Sequence, residues 1–170
     1  MDISWRWKKM GRYYSGDIEG KFWFACQSSD DADNFGVIGT PPDDRLNYYF
    51  KKSDMPLIEE GLKLCVDTLK EFGSNIIELL DSYHFSDNGM IEEWLRMTDE
   101  PQPKSTHVPN CYEGESKRMG TLRETLTYNS IIVTDAQMSE IDETYARLIL
   151  GRKIHKCVTD KEECFFEAEL

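Results

Sequence analysis

The alternation of hydrophobic and polar positions predicts strands in the first third of the chain. Two short aromatic runs, at residues 12–14 and 21–27, flank a segment rich in turn residues, which is typical of a β-hairpin. A third run of the same kind predicts a strand at residues 46–51. The intervening residues 28–44 are rich in Asp, Gly and Pro and predict a loop, with a short helical turn within residues 30–35.

Helical periodicity follows in the middle of the chain. Apolar residues recur every three or four positions from Leu57 to Phe72, with Asp54 as the predicted N-cap and Pro56 in the first turn. Gly73 is the predicted end of this helix. Shorter apolar stripes at residues 76–83 and 90–97 predict two further helices.

The last third of the chain mixes both patterns. Residues 122–128 fit either a helix or a strand, and residues 130–134 read as a buried strand. Asp135 is the predicted cap of a final helix that Gly151 ends. The tail then predicts two short strands, at 153–158 and 164–168. Residues 99–120, rich in Pro and Gly, predict a mobile loop.

This order of elements predicts an α+β fold. Strands come first, helices follow and strands return, without the strand–helix alternation of a parallel doubly wound sheet. We therefore expect a mainly antiparallel sheet packed with three to four helices. A length of 170 residues suits a single domain over residues 1–170.

Composition and charge narrow the functional classes. A chain with 39% hydrophobic and 12% aromatic residues buries enough surface to fold. Its net charge of −12 makes direct binding to nucleic acid or to an anionic membrane unfavourable. No apolar run is long enough to span a bilayer, and none follows the basic start. The odd count of five cysteines favours reduced thiols, so we expect a cytoplasmic location.

The acidic loop is a candidate site for a divalent metal. Asp30, Asp31 and Asp33 offer the carboxylate oxygens that Mg²⁺ and Ca²⁺ prefer, but Phe35 and Pro42 occupy positions where a calcium loop needs oxygen ligands. A metal-dependent hydrolase or nuclease that uses this loop is one alternative function. Residues 115–117, an acidic-x-Lys fragment, match part of a nuclease motif. The leading expectation is a protein without a cofactor.

Cysteine and histidine chemistry is a further alternative. Zinc ligands are offered by His107 with Cys111 and by His155 with Cys157 and Cys164, yet no Cys-x-x-Cys pair occurs. Cys111 and a histidine could also form a thiolate pair. The simpler interpretation is that these are ordinary thiols. No phosphate loop, dinucleotide fingerprint or nucleophile elbow is present.

Aromatic residues interleaved with basic ones mark the N-terminal region as a candidate interface. Trp and Tyr are enriched in the residues that dominate protein–protein binding. The candidates are Trp5, Trp7, Tyr13, Tyr14 and Trp23. The leading hypothesis is therefore a non-enzymatic interaction protein, which is also compatible with a homo-oligomer. The acidity suggests a second alternative, an inhibitor that mimics the charge of nucleic acid.

The first quarter of the chain carries one resemblance. The segment GRYYSGDIEGKFWF at residues 11–24, followed by QSSDDAD at 27–33, resembles the opening of small uncharacterised proteins encoded by large DNA viruses. The resemblance names no fold, activity or catalytic residue. It implies expression inside an infected cell and action on host or viral proteins.

Overall fold

Four antiparallel strands build one sheet in the described part of the chain. The structure, a computed structural model, describes residues 12–23, 27–41, 44–82, 126 and 129–170. The strands are β1 (Tyr13–Gly16), β2 (Gly20–Lys21), β3 (Arg45–Lys51) and β4 (Glu163–Glu169). Their order in the sheet is β2-β1-β4-β3, so the last strand in sequence lies between β1 and β3.

Three α-helices lie within the same described ranges. They are α1 (Met55–Lys70), α2 (Ile76–Ser82) and α3 (Asp135–Lys161). A short 3-10 helix, Asp31–Phe35, occupies the loop between β2 and β3, as the sequence predicts. The predicted helix at 90–97, the predicted loop at 99–120 and nearly all of 122–128 lie outside the described residues. The α+β class with an antiparallel sheet is confirmed.

Helix α3 differs from its prediction at both ends. Its N-cap is Thr134, whose hydroxyl accepts from the Gln137 N–H while the Gln137 amide oxygen accepts from the Thr134 N–H. Residues 131–134 are therefore an irregular lead into the helix instead of a buried strand, and Ile132 is 85% exposed. The helix also runs through Gly151 to Lys161, so the predicted strand at 153–158 is wrong.

Helix α3 continues past Gly151 and ends only where the chain adopts a left-handed conformation. A glycine ends a helix when the chain must turn into a left-handed conformation, but Gly151 sits inside α3 against the ring of Phe35. The helix ends instead at Glu162, which has a φ of 68° and donates its N–H to the Val158 carbonyl at 2.9 Å. This turn sends the chain directly into β4.

The hydrophobic core has two parts, and α3 contributes to both. One part packs the inner face of the sheet against Ile58 of α1 and the C-terminal half of α3. Near its centre the rings of Tyr48 and Phe166 stack with centroids 5.0 Å apart. The other part joins α1 and α2 to the N-terminal half of α3 around Tyr145. Helix α3 thus connects the sheet to the helical layer.

Within residues 12–23, 27–41, 44–82, 126 and 129–170, no helix combines the length and the apolar character needed to cross a bilayer.

Candidate interaction surface

The outer face of the sheet carries exposed aromatic side chains. Successive residues of a strand point to opposite faces, so the buried positions of β3 and β4 define the inner face and the alternate positions define the outer one. Tyr49 and Phe165 belong to the outer set and are 44% and 41% exposed. Tyr13 of β1 is also exposed, at 42%.

Tyr49 and Phe165 are direct partners across β3 and β4. Asn47 exchanges both backbone hydrogen bonds with Thr40, outside the sheet, so odd-numbered residues of β3 direct their backbone groups away from β4. The backbone N–H and carbonyl of Phe165 likewise bond to Asp17, on the side of β4 that faces away from β3. The two aromatics therefore form a non-hydrogen-bonded pair, the type in which opposite side chains lie closest, with Cα atoms about 4.5 Å apart.

Charged groups of both signs surround this pair. The Tyr49 hydroxyl donates to the Glu163 carboxylate at 2.5 Å, which raises the pKa of Tyr49. The Lys51 ammonium lies 5.4 Å from the centroid of the Tyr49 ring. On the other side, the Phe165 N–H donates to Asp17 at 2.9 Å and lowers the pKa of that carboxyl. Lys161 lies 3.6 Å from Asp17. We call Tyr49, Phe165 and this charged rim the aromatic patch.

Tyr13 lies at the opposite end of the outer face. Its N–H donates to the Glu169 carboxylate at 3.0 Å, whereas Phe165 is four residues away along β4, about 13 Å in an extended strand. Between them the Arg45 guanidinium pairs with Glu167 at 2.8 Å. This polar belt separates Tyr13 from the aromatic patch.

The edge of the sheet at β3 is largely occupied. Thr40 forms an isolated bridge with Asn47, and the Lys51 N–H donates to the Asp54 carboxylate at 2.8 Å. These contacts use backbone groups that an added strand would need. Recognition by this region is therefore better served by side chains on the outer face than by pairing at the edge.

Tyr14 and Trp23 are core residues, which corrects their prediction as exposed contact residues. Tyr14 is 3% exposed and packs edge-to-face on Phe22, with the ring centroids 5.1 Å apart. Trp23 is 2% exposed and meets Tyr145 in the same manner at 5.8 Å. Neighbouring Phe22 and Trp23 enter the two different parts of the core, so both sides of this segment are covered. Trp5 and Trp7 lie outside the described residues.

Asp31, a predicted metal ligand, is the centre of a buried polar network. Its carboxylate is 1% exposed and accepts from Arg147 Nε at 2.7 Å and from the Gln27 amide at 2.8 Å. The side-chain oxygen of Gln27 in turn accepts from the backbone N–H of Trp23 at 3.0 Å. Burial raises the pKa of the Asp31 carboxyl, and the contacts with Arg147 and Gln27 oppose this shift. The network fixes the acidic loop to α3.

Asp30 and Asp33 use their carboxylates in separate local contacts. Asp33 accepts from the Tyr48 hydroxyl at 2.7 Å and from the Gly39 N–H at 3.0 Å. Asp30 accepts from the Ser28 hydroxyl at 2.5 Å. Among the residues that the structure describes, no group of three or more His, Cys, Asp or Glu side chains converges as a metal site would require. Asp30 and Asp33 therefore stabilise the loop through local contacts, whereas Asp31 anchors it to α3.

A shallow groove of about 520 Å³ lies beside this loop. Arg12, Asp30 and Asp33 supply its charged lining and Leu46 an apolar part. The Arg12 guanidinium already donates to the Gln27 carbonyl and, at 2.7 Å, to the Ser29 hydroxyl. Arg12 and Asp33 of this groove therefore hold the loop on the sheet, and Asp30 contacts Ser28 within the loop.

The described cysteines are buried thiols. Cys65 lies in the helical part of the core, where burial raises its pKa to about 11. Cys157 and Cys164 lie together beneath the sheet. His155 is directed towards Glu59, 3.6 Å away. Glu115, His107, Cys111 and Cys26 lie outside the described residues.

Sequence reasoning missed Tyr49 and Phe165. Tyr48, Tyr49 and Phe50 read as one aromatic run, and the run alone does not show which residue faces outwards. The alternation along β4 was a usable signal. Cys164, Phe166 and Ala168 mark the inner face of the strand, which places Phe165 on the outer face. Comparison with family models, with curated proteins and with solved structures gave no match for this chain, so its candidate function rests on the geometry above.

Proposed function

We propose that this is a non-enzymatic interaction protein that binds a protein partner through the outer face of its sheet. The observation that carries the proposal is the aromatic patch: two adjacent, half-exposed rings on two paired strands. Aromatic anchors enclosed by a polar rim are the usual composition of the residues that dominate protein–protein binding. A partner would bury ring surface that now contacts water.

The net charge of the chain indicates which kind of protein partner it can bind. The chain carries a net charge of −12, so a second copy or another acidic protein meets long-range repulsion. A neutral or basic protein does not, and basic side chains meet the carboxylates of Glu163 and Asp17 beside the rings. The partner we propose is therefore a basic protein that supplies an apolar side chain to the patch. The resemblance of residues 11–33 to proteins of large DNA viruses supports a host or viral protein in this role.

The alternatives have less support from the described residues. Asp30, Asp31 and Asp33 are each engaged by neighbouring donors and do not converge, so the acidic loop does not favour a metal-dependent hydrolase. A mimic of nucleic acid needs a continuous negative face. The outer face of the sheet instead interleaves Lys51 and Arg45 with its carboxylates.

The test removes the rings and keeps the strands. We expect the double variant Tyr49→Thr, Phe165→Thr to fold as the parent does, since Thr suits strands, and to lose partner binding at least tenfold. The matched control is Leu64→Gln with Ile132→Thr, which removes two exposed apolar side chains away from the sheet. A benzoylphenylalanine at position 165 would cross-link the partner in cells for identification by mass spectrometry, and calorimetry with the purified partner would then give affinities.

The outcomes separate the competing functions. Loss of binding in the sheet variant together with full binding by the control supports the proposal. Equal binding by both variants overturns it, as does the absence of any cross-link from position 165. A cross-link only to a second copy of the chain would replace the heterologous partner with a homo-oligomer.

A further inference from the structure

Cys157 and Cys164 form a close pair across the junction of α3 and β4. Cys157 lies four residues before the end of α3, and Cys164 is the second residue of β4. The left-handed turn at Glu162 folds the strand back beneath the helix. The Cys157 thiol lies 3.5 Å from the carbonyl oxygen of Glu163, the residue directly before Cys164. Both side chains belong to the same part of the hydrophobic core.

Both thiols are held in that arrangement by the core. Cys157 is 6% exposed and Cys164 is fully buried, and both belong to the part of the core that contains Phe50 and Phe166. Cys164 is further fixed by its backbone pairing with Phe50 of β3. Because the Cys157 sulfur lies 3.5 Å from the backbone that leads directly into Cys164, a modest movement of the two side chains brings them to the geometry of a disulfide.

We propose that Cys157 and Cys164 are a redox-active dithiol that a low-molecular-weight disulfide such as oxidised glutathione converts to an intramolecular disulfide. In the first step, the thiolate of Cys157, the more exposed of the two, attacks a sulfur of oxidised glutathione, forming a mixed disulfide and releasing one glutathione thiolate. The second cysteine loses its proton and attacks the mixed disulfide at the protein sulfur, releasing the second glutathione. The protein dithiol is thereby oxidised by two electrons and one oxidised glutathione is reduced to two thiols.

The environment predicts how the reaction responds to pH. Burial raises the pKa of the Cys164 thiol, and the contact with Cys157 raises it further. Since the thiolate is the nucleophile, we expect the rate of closure to rise up to about tenfold per pH unit in the alkaline range. The bond would tie the end of α3 to the strand that lies between β1 and β3. This inference does not depend on the proposed partner.

The experiment uses the full chain equilibrated with mixtures of reduced and oxidised glutathione. Free thiols are alkylated, and trypsin then cuts after Lys156 and Lys161, which places Cys157 and Cys164 in separate peptides. We expect a single new species in which these two peptides are linked and the mass is lower by about two hydrogens. We also expect the midpoint of thermal unfolding to rise by about 5 °C.

The control variant is Cys65→Ala, which removes another buried thiol but should form the same linked peptides. Cys157→Ala and Cys164→Ala should each abolish the link. Three results would overturn the proposal: mixed disulfides with glutathione that never close, a link of either residue to a different cysteine, or closure that appears only in denaturant.

Discussion

At the scale of single residues, the Asp31–Arg147 pair shows how context redefines a candidate ligand. The sequence presents Asp31 within a run of acidic residues, which suggests a cation site. Its actual cation is the guanidinium of a residue more than a hundred positions away in α3. No local sequence pattern predicts such a partner, because only the folded chain brings the loop and the helix together.

This pair gives a prediction for stability. Arg147→Met keeps the apolar stem of the side chain but leaves the Asp31 carboxylate buried without its counter-ion. We expect the free energy of unfolding to fall by about 3 kcal/mol near neutral pH, measured by urea denaturation. The corresponding substitution in an exposed pair, Lys63→Met opposite Asp67, should leave the free energy of unfolding nearly unchanged. Equal losses in the two variants would contradict a special role for the buried pair.

The loss in Arg147→Met should also depend on pH. Burial raises the pKa of Asp31 in the folded protein above its unfolded value, and removal of Arg147 raises it further. A carboxyl pKa that is raised on folding costs stability progressively as the pH rises from the unfolded pKa to the folded one, because the unfolded state gives up the proton more readily. The difference between the variant and the parent should therefore shrink towards about pH 4. A difference that grows on acidification would contradict this account.

At the scale of elements, local patterns located most helices and strands but misjudged how far they extend. Strand β3, helix α1 and the short 3-10 helix lie where the sequence predicts them. The errors concentrate on α3, because the glycine and the β-branched residues in that region were interpreted from their intrinsic preferences for ending a helix or forming a strand. Gly151 lies inside the helix where Phe35 and Leu62 pack so closely that a Cβ atom would not fit, a tertiary effect that intrinsic propensity does not contain.

Gly151 provides the prediction at this scale. A Cβ atom at this position would lie 2.8 Å from Leu62 Cδ2 and closer still to the ring of Phe35. The gain of helix propensity in Gly151→Ala, up to about 1 kcal/mol, should be outweighed by the cost of overpacking. We expect a net loss of about 1–2 kcal/mol in urea denaturation.

Gly73→Ala is the matched control for this substitution. The nearest atom to a Cβ at residue 73 is the flexible tip of Ile131, at 3.3 Å. We expect a change within about 0.5 kcal/mol. Stabilisation by Gly151→Ala would show that the contact of α3 with Phe35 is loose.

The candidate surface was partly predictable for the same physical reasons. The sequence indicates that aromatic strands are present, and Tyr13 is an exposed ring on one of them. It does not indicate which rings become core, because that depends on the helices covering the inner face. Tyr14 and Trp23 were assigned to a surface, yet Phe22, Phe166 and Tyr145 enclose them.

At the scale of the whole molecule, the sheet depends on contacts between distant parts of the sequence. Strand β4 pairs with β1 through Tyr14 and Ala168, and with β3 through Tyr48 and Phe166. Removing residues 163–170 would therefore leave β1 and β3 without their common neighbour. We expect that truncated chain to lose the cooperative thermal unfolding transition, as measured by circular dichroism. Removing Leu170 alone, which is 57% exposed, should preserve the transition. A cooperative transition in the longer truncation would contradict the central role of β4.

The same strand order has a consequence for biosynthesis. A ribosome makes β1 and β3 long before it makes β4, so the emerging chain carries two strands that face an empty position. Helices α1 and α2 cannot complete their part of the core until α3 has been made, and the sheet can close only after residue 169 has followed. Throughout that interval the open strand edges are templates for pairing with other chains. Products that stop short of β4 should accordingly need chaperones or be degraded, which makes late translation the vulnerable period in the life of this protein.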